Sequence, residues 1–164
     1  MASYVVMSRS WKLVTIWLLI GTAMFLAVQA VQHRAAQSRF SFDTASGRIE
    51  LKRAPDGHFH WPGRVNGVAV DFLVDTGATG TALPLALAQQ AGLELEGTVR
   101  SSTAGGVVEG RLARADITLQ GGVVAERLRV AVLPRLAKPL LGMDVISKLR
   151  MTQSDGVLTL EVPR

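Results

Sequence analysis

Asp75 is the residue of this sequence that most needs a chemical explanation. In 72–84, FLVDTGATGTALP, three apolar residues run straight into it, and Thr76 and Gly77 follow. Ending a buried strand on a carboxylate is costly unless something compensates the charge. An acid, a hydroxyl residue and a glycine make a tight loop. The glycine permits unusual dihedrals and brings backbone N–H groups close to the carboxylate. Such donors help to hold a partly buried carboxylate in place. On these three residues two readings stand open: an ordinary Asx-type turn, or an acid positioned for chemistry.

Other side chains compete for attention. His58 and His60 in GHFH have a spacing that could hold a metal, but no further ligands are obvious, so they read as two partly exposed side chains and no metal is expected. Thr79, Thr81 and Ser101 would be nucleophiles only beside a base, and no such constellation is visible, so they read as structural. Asp144 opens a short helix, where a carboxylate stabilises the first turn; a second catalytic acid is the alternative. Gly121-Gly122 is a turn and not a phosphate loop, since neither a helix nor a lysine follows. The chain has no cysteine, which excludes disulfides, thiol catalysis and Cys-based metal sites.

Charge narrows the partners. The 164 residues carry a formal +5. Residues 1–46 hold four basic residues (Arg9, Lys12, Arg34, Arg39) against Asp43, which leaves only +2 from residue 47 onward. The basic residues there are scattered and not interleaved with aromatics, so no nucleic-acid partner is expected.

The elements that must position Asp75 can be outlined. From Leu13 to Gln32 no residue is charged, and a run of that length spans about 30 Å as a helix, the thickness of a bilayer's hydrocarbon core. Trp11 and Trp17 lie toward one end, where amphipathic rings favour the interface. The favoured reading is a single transmembrane anchor over 13–32 behind a cytoplasmic stretch, 1–12. The competitor is a cleavable signal peptide with Val28-Gln29-Ala30 as its cleavage site. A narrow excess of positive charge before the run orients the N-terminus inward, and either way the remainder is exported. Small polar residues through 47 read as a linker (33–47), and a single domain is expected over 48–164.

Within that domain the pattern is of many short strands. Ile49 and Leu51 alternate with charged neighbours, as do Phe59 and Trp61 with polar ones. Asn66-Gly67 between strand-like runs is a hairpin signal. Pro84 opens a short helix over LALAQQA, with Gly92 as its stop. Val99 and the serines lead into a turn at Thr103-Ala104-Gly105-Gly106. A long strand runs from Val107 to Leu119, Gly121-Gly122 turns the chain, and VVAERLRVAVL alternates as another strand. Residues 144–149 form a second short helix, and Asp155-Gly156 makes a last hairpin. The fold class expected is mainly β, a closed or partly closed β-barrel with one or two short helices.

Several segments, in order, resemble the retropepsin-like aspartic proteases, and among them the membrane-anchored bacterial group. GHFHWPGRVNGVAVDFLVDTGAT is similar to that group's opening hairpin and active-site loop, SSTAGG to the start of its flap, and PLLGMDVISKL to its second motif, in which two apolar residues and a glycine precede a short helix. The flap turn departs from the pattern at Ala104, since Asn or Asp often stands before the final glycine. The resemblance covers about 48–160.

It implies an acid-protease fold and an aspartic endopeptidase without a cofactor. Asp75 would be the catalytic carboxylate. Thr76 would tie two active-site loops together across a dimer, and Gly77 would present backbone to the substrate. Ala78 and Thr79 would support the loop. Thr103, Ala104, Gly105 and Gly106 would form the flap, and Leu140, Leu141 and Gly142 would pack beneath the loop. The family's chemistry needs two carboxylates that share a proton. Only one Asp-Thr/Ser-Gly is present, so Asp75 of a second chain is expected to complete the pair in a two-fold homodimer. The partners implied are a polypeptide substrate and the bacterial inner membrane, with the catalytic domain in the periplasm. The rival reading is a non-catalytic exported β-barrel that binds peptides or a partner protein.

Overall fold

A computed structural model describes residues 9–37, 40–43, 47–103 and 106–163. The chain divides into two compact units, 1–38 and 39–164. In the first, α1 (Arg9–Gln37) is a helix of 29 residues. Its described side chains, Trp11 and those of 13–27, are exposed. The Thr15 and Thr22 hydroxyls donate to the carbonyls one turn back, Trp11 O at 2.8 Å and Leu18 O at 2.9 Å. The transmembrane helix expected over 13–32 is not found: among the described residues no helix is long and apolar enough to cross a membrane.

The second unit is mainly β. A four-stranded sheet has the order β1 (Phe40–Asp43), β2 (Arg48–Lys52), β11 (Val157–Glu161), β10 (Arg150–Ser154). A seven-stranded sheet has the order β3 (His60–Val65), β4 (Val68–Val74), β9 (Leu140–Leu141), β5 (Ala82–Pro84), β8 (Val124–Leu133), β7 (Gly106–Leu119), β6 (Glu96–Thr103). The expected single barrel is thus resolved into two sheets. In the larger one β3 also pairs with β7 through Gly63↔Leu119 to Val65↔Ile117, linking the two ends of the run β3 to β7. The hairpin β6–β7 extends beyond that ring. β1 lies inside the segment expected as a linker; Phe40 and Phe42 pair with Leu51 and Ile49 of β2.

Two short helices complete the unit. α2 (Leu85–Gln90) follows Pro84, whose extended backbone makes it the N-cap, and Gly92 ends it at a φ of 64°. α3 (Met143–Ile146) follows Gly142. The core is fully buried at Ile49, Leu51, Trp61, Phe72, Leu83, Leu141 and Leu160. Trp61 satisfies its ring N–H on Gln120 O at 2.8 Å, which lets a large polar-tipped ring be buried without loss.

Candidate active site

β4 and β9 run parallel and side by side, with Leu73 opposite Leu140 and Val74 opposite Leu141. That pairing carries Asp75 to the end of β4 and holds it there. Its N–H donates to Leu141 O at 3.0 Å, one residue after Val74 N–H has donated to Phe59 O at 2.9 Å. The side chain is half-buried. Gly77 N–H donates to Asp75 Oδ1 at 2.9 Å, and Ala78 N–H to Asp75 O at 3.2 Å. A Cβ at position 77 would stand 3.2 Å from the same Oδ1, so a glycine gives the amide its close approach. Among the described residues, Asp75 Oδ2 accepts no hydrogen bond. One carboxylate oxygen is oriented and the other is open.

The rest of the loop is braced from α3. Met143 N–H donates to Ala78 O at 2.9 Å. Thr81, 1% exposed, donates to Asp144 twice, from its N–H at 2.9 Å and from Oγ1 at 2.8 Å, and Oγ1 accepts from Gly142 N–H at 3.2 Å. Asp144 was expected to cap its helix, but the N-cap is Gly142 and no side chain bonds there. Its carboxylate is spent on Thr81 instead. A Cβ on Gly142 would come within 2.6 Å of Gly80 O, so the two glycines mark where the active-site loop and the PLLG segment touch.

Asp75, Thr79 and Leu140 line one groove of about 930 Å³, together with Val99, Arg100 and Ser101 of β6 and Ala131 and Leu133 of β8. Of the residues expected around the acid, Gly77, Ala78 and Thr79 line this groove. Thr76 is exposed next to it. Leu141 and Gly142 are buried beneath the loop, while Leu140 faces the groove. Of the residues expected to form the flap, Thr103 pairs with Gly106; Ala104 and Gly105 lie outside the described residues. A second cavity of about 340 Å³ contains no residue of the Asp75 loop. Its polar groups stitch strands together: Asn66 Oδ1 accepts from Asp116 N–H at 2.9 Å, and Asp116 Oδ1 from Arg127 N–H at 2.7 Å.

The two histidines separate. His58 is exposed in a bend before β3, while His60 is half-buried on the strand. His60 Nε2 is 2.9 Å from Asp56 Oδ2, and Nδ1 is 3.1 Å from Asp71 Oδ2 but makes no hydrogen bond of good geometry. The His60 ring, and then the His58 N–H, hold the Asp56 carboxyl well below the usual carboxylate range. Among the described residues no group of side chains could hold a metal ion. The residue that sequence reasoning passed over is Thr81, read as structural with no partner named. Its signal was a lone buried hydroxyl between a glycine and the apolar ALP.

The profile of the aspartyl protease family matches residues 61–145, from the core tryptophan through the Asp75 loop to α3. The chain belongs to the aspartyl protease family. A retropepsin-like aspartic protease from Rickettsia conorii has the same fold, with a TM-score of 0.57 and 25% identity over 75% of this chain and 95% of that one. An uncharacterized protein of Rickettsia prowazekii is 32% identical over 88 residues, 52% of this chain. A protein from the cobV 5′ region of a Sinorhizobium species is 34% identical over 114 residues, 64% of this chain. The matches span 38% and 47% of those two relatives. In this family member the matched segment holds every hydrogen bond that fixes Asp75 and Thr81.

Proposed function

We propose that the chain is an aspartic endopeptidase that cleaves a polypeptide substrate as a homodimer, with Asp75 of each copy supplying half of one site. The observation that carries this reading is the count of available acids. Asp75 and Asp144 are the two carboxylates lining the groove, and both Asp144 oxygens are engaged by Thr81. A mechanism that needs two carboxylates therefore draws the second from another chain, and a two-fold axis brings Asp75 to its own copy.

In such a pair one carboxylate takes a proton from a water molecule, whose oxygen attacks the peptide carbonyl carbon. The other, protonated, gives its proton to the carbonyl oxygen. Collapse of the tetrahedral species breaks the C–N bond, and the amine leaves with a proton; no covalent enzyme intermediate forms. Gly77 N–H fixes the orientation of Asp75 Oδ1, and the open Oδ2 is the oxygen free to meet water or the partner acid. The exposed Thr76 would reach across the axis to the other loop. The hairpin β6–β7, whose last pair is Thr103 with Gly106, would close over the peptide. The location proposed, the periplasmic face of a bacterial inner membrane, rests on the uncharged run 13–32.

The test compares the full chain with Asp75→Asn on a proteome-derived peptide mixture, with cuts read by mass spectrometry from acidic to neutral pH. Cuts made by the wild type alone are expected. Equal cutting by both proteins, or none by a folded dimer, would sink the reading in favour of a peptide-binding role.

A further inference from the structure

The groove that holds Asp75 is not uniformly apolar. Val99, Leu112, Leu133 and Leu140 give it apolar walls, yet Arg100 and Arg129 also line it. The two cations differ. Arg100 Nε pairs with Glu109 Oε1 at 3.2 Å. The Arg129 side chain has no hydrogen bond or ion pair with any described residue, whereas Arg100 and Arg114 each have an acid within reach.

Arg129 also stands where folding gains nothing from it. In the β7–β8 register it lies directly opposite Arg114, and like charges facing one another across strands are destabilising. Arg114 has Glu96 at 3.7 Å; Arg129 has no such relief. Its position relative to the acid is informative. β8 runs parallel to β5, with Ala131 opposite Ala82. Residue 129 precedes that pair by two, so it lies toward the end of the sheet at which the Asp75 loop enters β5. Strand alternation puts its side chain on the face of Ala131, about 7 Å along. An extended peptide repeats its side chains on one face at that same spacing.

We propose that Arg129 receives an acidic side chain of the substrate peptide, so that the groove selects Asp or Glu close to the cleaved bond and apolar residues elsewhere. The inference rests on the endopeptidase reading. Its chemistry is that of a planar guanidinium, whose paired N–H groups match the two oxygens of a carboxylate.

Binding separates this inference from catalysis. Full-length Asp75→Asn protein is titrated with a fluorescein-labelled apolar peptide in which Glu, Gln or Lys is placed at each position in turn. Polarisation is the readout. At one or two positions Glu is expected to bind about tenfold more tightly than Gln, and Arg129→Gln in the same background should erase that ratio. Arg129→Lys, which keeps the charge and loses the fork, should retain part of it. With an intact Asp75 the Glu peptide should show the higher kcat/KM. No Glu advantage at any position, or an advantage that survives Arg129→Gln, overturns the proposal. A Glu preference in binding without cleavage by the wild type keeps the acidic subsite and removes the endopeptidase reading. Cleavage indifferent to Glu does the reverse.

Discussion

At Thr81 a single hydroxyl is shared, donating to Asp144 Oδ1 while accepting from the buried Gly142 N–H. Replacing it with valine keeps the shape and orphans both partners, and a buried polar group left unpaired costs about 1–3 kcal/mol. Thr81→Val should lower stability by that much in urea unfolding and weaken cleavage, because the brace between the loop and α3 goes with it. Asp56 supports a second expectation. Its carboxyl is held below its ordinary value of 3.8 by the His60 ring and the His58 N–H. A depressed carboxylate contributes its stability above the unfolded value and loses it as pH falls further. The difference in stability between wild type and Asp56→Asn should shrink as pH falls below about 4; a difference that persists undiminished into stronger acid would contradict the role of these hydrogen bonds. Asp75 was legible because an apolar strand ended on it. Thr81 was not, since its partner lies 63 residues away and only the closed fold brings them together.

The hairpins were legible as elements for a local reason. Asn66 and Gly67 adopt φ of 45° and 83°, and Asp155 and Gly156 adopt 50° and 76°, conformations that few other dipeptides accept. β6 carried no such mark. EGTVRSST is polar, and Glu96, Gly97, Thr98 and Arg100 are exposed; it is a strand because β7 pairs with it from Glu96↔Leu112 to Thr103↔Gly106. β1 was missed likewise, for it exists only against β2. The contact between elements that matters most to the site is Gly142 against Gly80. Gly142→Ala would force the PLLG segment and the active-site loop apart, and overpacking of this kind costs about 1–3 kcal/mol. The variant should unfold at lower urea and cleave more slowly than its stability loss explains. Normal activity would mean that the two segments need not touch.

For the whole molecule, the site proposed between two copies would make activity a property of pairs. Specific activity of the full chain should rise with protein concentration across the monomer–dimer transition seen by sedimentation, and Thr76→Ala should move both curves to higher concentration together. Activity that stays constant through dissociation would rule out a site built from two copies. The four-stranded sheet has a different consequence, which concerns the order of folding. β2 and β11 are neighbours, from Arg48↔Glu161 to Val157↔Lys52, and Arg48 Nε meets Glu161 Oε1 at 3.0 Å. The first of these strands to emerge from the ribosome thus waits for the last before it has a partner on that side. Until then Ile49 and Leu51, both fully buried in the finished protein, remain uncovered on that side. Pairing so remote in the chain is slow to form, and the nascent chain therefore carries an uncovered apolar strand until β11 arrives.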